Sequence, residues 1–346
     1  MIDISSKPSR AWVKLTAPYQ NPDIRRSLGQ LANSAIPYLL LWIAMAWTFQ
    51  VGWWPLTLLL SVPAAGMLVR LFIIFHDCTH SSFFKDQKWN DRIGLILGVF
   101  TFTPYHSWRR SHAIHHATSG DLDRRGIGDV DTLTVREYMN LSWLDRLRYR
   151  IYRHPLFLFV IGAPFLFVVI NRFPLKSDPE RERRGVHLTT LAILAMAIAL
   201  SAWLGWQTFV VVQGSILLLA SIVGVWMFYV QHQFEETYWK PHPDWDYFQA
   251  AVEGSSFYKL PAVLQWFTGN IGFHHIHHLS PRVPNYELER CFKENALFQN
   301  CKTLTLGQSL RTLNWRLWDE DLQRMVGFAR VGQLRRAVRM AAAGTD

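Results

Sequence analysis

The stretch SLGQLANSAIPYLLLWIAMAWTFQVGWWPLTLLLSVPAAGMLV, residues 27–69, contains no Asp, Glu, Lys or Arg. A helix needs about 20 apolar residues to cross a bilayer, and this tract is roughly twice as long. Gly52 and Pro55 interrupt the apolar pattern near its middle. We therefore predict two membrane-spanning helices, at residues 35–50 and 56–75, joined by a short turn that carries no charge.

A second charge-free tract covers residues 188–234 and predicts two further spans, at residues 188–205 and 207–230. Basic residues lie outside both tracts, whereas the turns inside them are uncharged. Because cytoplasmic segments carry an excess of Lys and Arg, we expect both ends of each tract to be cytoplasmic. The predicted fold is an all-α polytopic membrane protein, with four transmembrane helices in two hairpins beneath a cytosolic helical cap.

The remaining segments predict the domain organisation. Residues 1–34 form a cytosolic N-terminal segment, and residues 35–310 form the membrane domain. Within that domain, residues 93–105 and 155–170 are apolar but short, and basic residues stand on both sides of the second, so we predict in-plane helices for both. Apolar and basic residues alternate at helical spacing in residues 311–346, which predicts a basic amphipathic C-terminal helix in the cytosol.

The formal net charge of +10 could suggest a nucleic-acid-binding protein. Here the basic residues flank apolar tracts, as the distribution of charge in membrane proteins requires, so we expect no nucleic-acid partner and expect membrane lipids instead. The three cysteines are too few and too scattered to predict a disulfide framework. The pattern favours a reducing, cytoplasm-facing environment.

Three histidine-rich stretches lie just outside the apolar tracts: HDCTH at residues 76–80, HAIHH at 112–116 and HHIHH at 274–278. Residues three or four apart share one face of a helix, so each stretch presents several imidazoles on one side. Imidazole is the commonest protein ligand for metals. The alternative is chance clustering, but the three stretches hold 9 of the 14 histidines. On the predicted topology all three face the same compartment.

The ligand types narrow the choice of metal. Structural zinc takes four ligands, usually thiolates, and the HExxH motif of zinc proteases is absent. Magnesium and calcium prefer oxygen, and the ExxH motif of carboxylate-bridged diiron proteins is also absent. Iron suits imidazole. We therefore predict two non-haem Fe ions held by nitrogen. The predicted metal ligands and catalytic residues are His76, His80, His112, His115, His116, His232, His274, His277 and His278.

Two other functions fit parts of this pattern. A membrane haem site commonly uses histidines within facing spans, but both charge-free tracts lack histidine until His232, at the end of the second. A metal transporter or sensor would need ionisable residues inside the spans to form a pathway, and the tracts offer none. An oxygen-activating enzyme fits better, because redox iron performs chemistry that no side chain can.

The residues resemble a known family. HDCTH, then PYHSWRRSHAIHHATSGDLDRRGIGDVDTLTVREY from Pro104 to Tyr138, then TGNIGFHHIHHLSPRVPNY from Thr268 to Tyr286, are similar to the three histidine boxes of the integral-membrane fatty acid desaturases, of the acyl-lipid, delta-12 (omega-6) bacterial type. The resemblance extends over roughly residues 37–310. It implies O2 as cosubstrate, a cis double bond introduced into a lipid-linked or thioester-linked fatty acyl chain, and a histidine-ligated diiron centre.

The resemblance further implies a separate electron donor, such as a ferredoxin or a cytochrome b5, because no haem-binding HPGG segment is present. It implies a bacterial inner-membrane location, with both termini and the active site cytoplasmic. His232 matches an additional ligand of the family. A hydroxylase, an acetylenase or a carotenoid ketolase could use the same centre, since small differences in substrate placement decide the outcome.

Several residues stay open at this stage. His275 lies about 100° from the face of His274 and is either a residue behind the ligands or a surface residue. Four other histidines have no partner at ligand spacing, which favours interfacial or hydrogen-bonding roles: His106, His154, His187 and His242. Candidates to orient the ligands are Asp77, Asp123, Asp131, Glu235 and Asn270, and the alternative for the four carboxylates is a solvated loop position. Trp108 and Trp266 could line an acyl tunnel or serve ordinary packing.

Overall fold

The computed structural model describes residues 11–343 and is predominantly helical. Residues 1–10 and 344–346, which belong to the predicted N-terminal segment and C-terminal helix, lie outside the described residues. The α-helices are α1 Ala11–Thr16, α2 Ile24–Gln50, α3 Trp54–Thr79, α4 Gln87–Phe100, α5 Tyr105–Thr118, α6 Val135–Asn140, α7 Trp143–Tyr152, α8 Ala163–Val168, α9 Glu180–Leu204, α10 Trp206–His232, α11 Tyr247–Glu253, α12 Ala262–Phe267, α13 His274–Leu279, α14 Asn285–Glu294, α15 Ala296–Gln299, α16 Leu306–Ser309 and α17 Ala329–Ala343.

Short elements complete the chain. A π-helix covers Leu156–Gly162, and 3-10 turns cover Ala17–Tyr19, Ile170–Arg172, His242–Asp244 and Leu310–Asn314. The strands are β1 Leu133–Thr134, β2 Phe257–Lys259, β3 Thr303–Thr305, β4 Leu317–Asp319 and β5 Arg324–Val326. β1 pairs in parallel with β4, β4 pairs antiparallel with β5, and β2 pairs in parallel with β3. The predicted all-α class is confirmed, apart from these short strands.

Four helices of the described chain, α2, α3, α9 and α10, are long and apolar enough to cross a membrane. They are the four predicted spans, but most extend beyond the predicted limits. α2 begins at Ile24 because the Asp23 side chain accepts hydrogen bonds from the backbone N–H groups of Arg25 and Arg26. Its first turns carry Ser27, Gln30 and Ser34, which are buried against protein. Hydropathy therefore places the start of this helix too late.

The connections within the two tracts are short. Residues 51–53 join α2 to α3, which pack against each other, and the Thr48 and Thr57 hydroxyls hydrogen-bond at 2.8 Å near this turn. Gly205 alone separates α9 from α10, with a φ of 86° that favours glycine. The placement of both turns on the far side of a membrane stays a prediction.

The first predicted in-plane helix, residues 93–105, is wrong as a single element. α4 ends at Phe100, and the chain turns through residues 101–104 before α5 begins at Tyr105. Phe102 in this turn has a φ of 55°. α4 and α5 then pack closely, because Gly94 lies directly against the Tyr105 ring. The sequence pattern fails here because apolar residues continue through the turn.

The second predicted in-plane segment, residues 155–170, is helical but composite. A π-helix, α8 and a 3-10 turn follow one another from Leu156 to Arg172, and they meet α7 at an angle of 64°. Together with α7 they are long and apolar enough for a broken span or a re-entrant loop. An in-plane position for these residues stays a prediction.

The predicted single helix over residues 311–346 is wrong in its first half. β4 and β5 form a hairpin there, and a helix starts only at Ala329. Trp318 and Met325 pair across the two strands and are buried. Asp319 closes the turn, because its Oδ1 accepts hydrogen bonds from the backbone N–H groups of residues 321 and 322. Apolar residues in this segment fit both a helix and a hairpin.

Two apolar cores hold the fold together. One surrounds α3 between α2 and α10, and the other packs around α13 and the end of α10. The buried Arg153 side chain joins the cap to α10, because it donates to the carbonyls of Asp131 and Trp315 and to the Gln233 Oε1 atom. Both cores meet where α3 and α10 end, which is where the histidines lie.

Candidate metal centre

Four helices bring the nine predicted histidines together. His76 lies in the last turn of α3, His80 directly follows that helix, and His232 is the last residue of α10. α5 carries the second histidine stretch and the short helix α13 carries the third. All nine are buried except His80, which is partly exposed. They form two neighbouring groups.

The first group contains five imidazoles, each offering one nitrogen within 4.8 Å of the others: His76, His80, His112, His116 and His277. Three of the Nε2–Nε2 distances are short. His112 lies 2.9 Å from His76 and 3.1 Å from His116, and His116 lies 3.0 Å from His277. The nitrogens therefore converge on one small volume.

The second group has three imidazoles within the same limit: His115, His232 and His278. His115 Nε2 lies 3.3 Å from His278 Nε2. His274 joins this group, since its Nε2 lies 3.0 Å from that of His232. All nine predicted ligands thus lie in one group of five or one of four.

Hydrogen bonding alone does not explain the first group. A ring nitrogen has either one N–H or one lone pair in the ring plane, so it makes one good hydrogen bond. The Nε2 atoms of His112 and His116 each lie within 3.1 Å of two other Nε2 atoms. Converging lone pairs are what a cation requires, so the donor set fits a metal ion.

The distances also indicate the coordination. With nitrogen–metal bonds of about 2.1 Å, two ligands at a right angle have nitrogens about 3.0 Å apart, whereas tetrahedral ligands stand about 3.4 Å apart. Four of the five short distances lie between 2.9 and 3.1 Å. The nitrogens in each group are therefore close enough together to share one metal ion.

The two adjacent pairs, His115–His116 and His277–His278, explain why the groups are neighbours. Successive residues on a helix point about 100° apart. His116 and His277 belong to the first group, whereas His115 and His278 belong to the second. The rings of His116 and His278 stack at 4.2 Å between the groups. The adjacent histidines on α5 and those on α13 therefore each contribute one residue to each group.

Burial favours the neutral form of several histidines on α5 and α13. It lowers the pKa of His112, His116 and His277 well below the usual value, and neighbouring histidines lower it further. The pKa values of His274 and His278 are lowered for the same two reasons. Imidazole must be neutral to bind a metal, so the site holds ligands that are ready to bind without first losing a proton.

Asp129 orients a histidine of the second group, a role that the sequence reasoning missed. Its Oδ1 lies 2.5 Å from His115 Nδ1, which leaves Nε2 free to face the group. Among the predicted orienting residues, only Asp77 lies near a site histidine, 3.5 Å from His76 Nδ1. Asp77 also accepts two hydrogen bonds from Asn285. No signal in the sequence separates Asp129 from the other aspartates of the same loop.

The other predicted orienting residues have different contacts. Asp123 accepts the backbone N–H of His242, and Glu235 pairs with Arg324. Asp131 is exposed, and the Asn270 carbonyl accepts the Phe273 N–H within the turn before α13. None of these four residues contacts a site histidine in the described structure, so the three carboxylates fit the alternative of ordinary loop positions.

Comparison with known proteins gives the family. Residues 51–306 match the family model described as fatty acid desaturase. A fatty acid desaturase of Bacillus subtilis is 50% identical over 315 residues, covering 91% of this chain and 89% of that protein. This chain is a member of the fatty acid desaturase family. The resemblance found in the histidine boxes is confirmed.

More distant desaturases give the range of related activities. The sn-2 acyl-lipid omega-3 desaturase (ferredoxin) of Helianthus annuus is 27% identical, over 81% of this chain and 62% of that protein. The sn-1 oleoyl-lipid 12-desaturase of Synechocystis sp. is 25% identical, over 73% of this chain and 70% of that protein. Family membership makes the chain an oxidoreductase of lipid metabolism.

A cavity of about 550 Å³ reaches the histidines of this desaturase. Its wall is mostly apolar and includes His76, His112 and His274. Leu217 also lines it, fifteen residues before His232 on α10, which at 1.5 Å per residue is about 22 Å along the helix. Trp108 lines this cavity, which fits its predicted role in an acyl tunnel. Trp266 does not line it.

The remaining histidines lie outside both groups. His275 is fully buried and its Nε2 lies 2.9 Å from the Phe298 carbonyl, so it is not a surface residue. Burial lowers its pKa to about 4. His242 makes the predicted kind of hydrogen bond, 2.9 Å from Asp121 Oδ2. His106 is half-buried beside Gly185, and His154 and His187 are exposed.

Proposed function

We propose that this desaturase introduces a cis double bond into the acyl chain of a membrane lipid, using O2 and a pair of irons held by its two histidine groups. The single observation that carries this proposal is the mostly apolar cavity that reaches two adjacent groups of largely buried imidazoles. An unactivated methylene group offers no polar handle, so only a shaped apolar channel can place it beside an oxidant.

The proposed ligands follow the grouping of the nitrogens. His76, His80, His112, His116 and His277 would hold one iron, and His115, His232, His274 and His278 would hold the other. When bound, the iron pair would supply the oxidising chemistry by which two hydrogens of adjacent CH2 groups, two donated electrons and two protons from solvent reduce O2 to two molecules of water. The lack of thiolate ligands and of HExxH favours iron over zinc.

The side chains would position the reactants and exclude water. Phe72 and Trp108 line the cavity beside His76 and pack edge to face at 5.5 Å, which fixes the width of the channel there. Asp129 holds the His115 ring in one orientation. Apolar walls keep bulk water from the reacting carbon atoms. Selective removal of hydrogen requires histidines held in fixed orientations and a channel without bulk water.

We further propose a bacterial inner-membrane location, with the metal groups on the cytoplasmic side. The long apolar helices α3 and α10 both end at the histidines, so all nine ligands share one side of the membrane. A separate donor of the ferredoxin or cytochrome b5 type would deliver electrons there. The Helianthus annuus relative is an omega-3 desaturase named for ferredoxin, which supports a small soluble donor.

The test is lipid and metal analysis of a bacterial host that expresses the chain, compared with His277→Ala and with His187→Ala as an exposed control. We expect the wild type and H187A to produce unsaturated acyl lipids and to purify with about two irons per chain. H277A should produce neither the unsaturated lipid nor the full iron content. An oxygenated acyl product, or one equivalent of zinc with full activity in H277A, would overturn the proposal.

A further inference from the structure

A buried arginine without an acidic partner connects two segments that end at the second histidine group. Arg153 directly follows α7 and is 2% exposed. No carboxylate among residues 11–343 lies within 4.0 Å of its guanidinium group. A buried charge is costly unless nearby polar groups compensate it. The neutral groups that Arg153 contacts therefore have to do so.

The contacts of Arg153 form a compact buried cluster. Nη1 donates to the Asp131 carbonyl at 2.7 Å and to the Thr132 hydroxyl at 3.2 Å. Nη2 donates to Gln233 Oε1 at 2.8 Å, and the Thr132 hydroxyl oxygen lies 3.3 Å from the same oxygen. Thr132 and Gln233 are both buried. Because a guanidinium group presents its N–H bonds in a rigid planar fork, it fixes the two segments relative to each other.

The first segment carries the carboxylate that orients His115. Asp129 Oδ1 lies 2.5 Å from His115 Nδ1, and only Val130 separates Asp129 from the anchored carbonyl of Asp131. Val130 is itself buried in the core around α13. A hydrogen bond to the Asp131 carbonyl therefore restricts where the Asp129 carboxylate can lie.

The second segment carries His232 itself. His232 is the last residue of α10, and Gln233 directly follows it as the chain leaves the helix. The rings of His115 and His232 lie 4.9 Å apart. Arg153 therefore connects, through Asp129 and Gln233, two histidines of the second group that belong to different helices, α5 and α10.

The first group has no such connection to Arg153. Asp77, which lies 3.5 Å from His76 Nδ1, accepts its hydrogen bonds from Asn285. Neither Asp77 nor Asn285 hydrogen-bonds to Arg153 in the described structure. Loss of the Arg153 guanidinium group should therefore disturb the second group and leave the first group in place.

We propose that Arg153 is a positioning residue for the second metal ion, because it holds the Asp129 carboxylate and His232 in the relative positions that this group needs to bind. The inference rests on the proposed function, since it assumes a metal ion in each group. Lysine would replace the arginine only in part, because its three N–H bonds radiate from one atom and lack the planar fork.

The first experiment uses the purified, metal-free chain. Backbone hydrogen exchange is compared between the wild type, Arg153→Met and Arg153→Lys. We expect faster exchange in R153M at residues 128–132 and 230–234, because both segments lose a buried hydrogen-bonding partner, and an intermediate rate in R153K. Exchange at the wild-type rate in either segment of R153M would overturn the inference.

Arg146→Met is the matched control. Arg146 lies on α7, and its side chain donates to the carbonyls of Tyr138 and Met139, which belong to neither segment. R146M should therefore exchange like the wild type at residues 128–132 and 230–234. Equal acceleration of both segments in R146M and R153M would show a general loosening of the fold and would overturn the inference.

The second experiment measures iron at each position of the loaded chain by Mössbauer spectroscopy. We expect R153M to bind the second iron about 10–100-fold more weakly, the usual effect of losing a residue that orients ligands, with the first iron unchanged. If R153M does not fold, R153K carries the same comparison. Loss of both irons in parallel, or of neither, would overturn the inference. A wild type without iron in either group would overturn the proposed function alone, and hydrogen exchange would still decide the role of Arg153.

Discussion

The Nδ1 atom of His115 lies 2.5 Å from Oδ1 of Asp129, a carboxylate fourteen residues further along the chain. This contact fixes which ring nitrogen of His115 faces the second histidine group. Asp129 also lines the cavity, so the same loop orients a ligand and bounds the channel. Loss of such a partner usually weakens metal binding 10–100-fold.

We therefore expect Asp129→Ala to lower iron affinity by about 10–100-fold, with Asp129→Asn intermediate because its amide oxygen still accepts a hydrogen bond. The measurement is iron bound per chain against a graded chelator. Asp131→Ala is the control, since the Asp131 side chain is exposed and makes no contact with a site histidine in the described structure. Equal iron retention in D129A and D131A would contradict the assignment.

The two histidine groups should lose metal separately. His80 belongs to the first group and His232 to the second, and neither is part of an adjacent pair. We expect His80→Ala and His232→Ala each to purify with about half the iron of the wild type, and the double variant to hold almost none. Mössbauer spectra would identify which iron remains. A full complement of iron in either single variant would exclude that histidine as a ligand.

His275 provides a contrast within the third box. His275→Leu removes the donor to the Phe298 carbonyl at a fully buried position and should cost about 1–3 kcal/mol of unfolding free energy. Iron content should stay at the wild-type value, because the ring lies in neither group. Thermal unfolding and metal analysis of the same sample test both points. His278→Leu should show the reverse, with iron lost. Iron loss in H275L would make His275 a ligand.

The cavity can be narrowed without a clash. Gly224 on α10 lines it, and a side chain added there meets no atom within 4 Å at the Cβ position. Gly224→Leu should fill the channel and reduce desaturation at least tenfold while iron content is unchanged. Gly214→Leu on the same helix is equally free of contacts but outside the cavity, and should remain active. Full activity in G224L would place the substrate elsewhere.

Helix packing behind the site should be equally sensitive. A Cβ on Gly94 would stand 2.2 Å from the Tyr105 ring, which is fully buried and hydrogen-bonded to the Cys78 carbonyl. Gly94→Ala should therefore lower the unfolding free energy by about 1–3 kcal/mol. Gly29→Ala, in open space on α2, should instead leave it unchanged or raise it by up to about 1 kcal/mol. Equal melting temperatures would contradict the packing.

Much of the site was predictable because its signals are strong and local. A long apolar stretch without charge, such as residues 27–69, is best explained by helices that cross a membrane. The motif HAIHH is best explained by a metal site. The grouping of ligands was less accessible. The sequence does not predict that His115 and His116 belong to different groups, because that depends on the rotation of α5 relative to α13.

The errors arose where a pattern fits two structures. Residues 317–326 place apolar side chains at positions that satisfy a helix or a hairpin, and only the side-chain hydrogen bonds of Asp319 decide for the hairpin. Asp129 was indistinguishable from Asp123 and Asp131 in the same loop. Such choices depend on contacts between residues distant in sequence, which periodicity does not encode.

The adjacent pairs His115–His116 and His277–His278 have a mechanical consequence. Each pair is joined by one peptide unit inside a helix, so the two groups stay adjacent as long as the helix is intact. Rotation of α5 would move His115 and His116 together, and with them one member of each group.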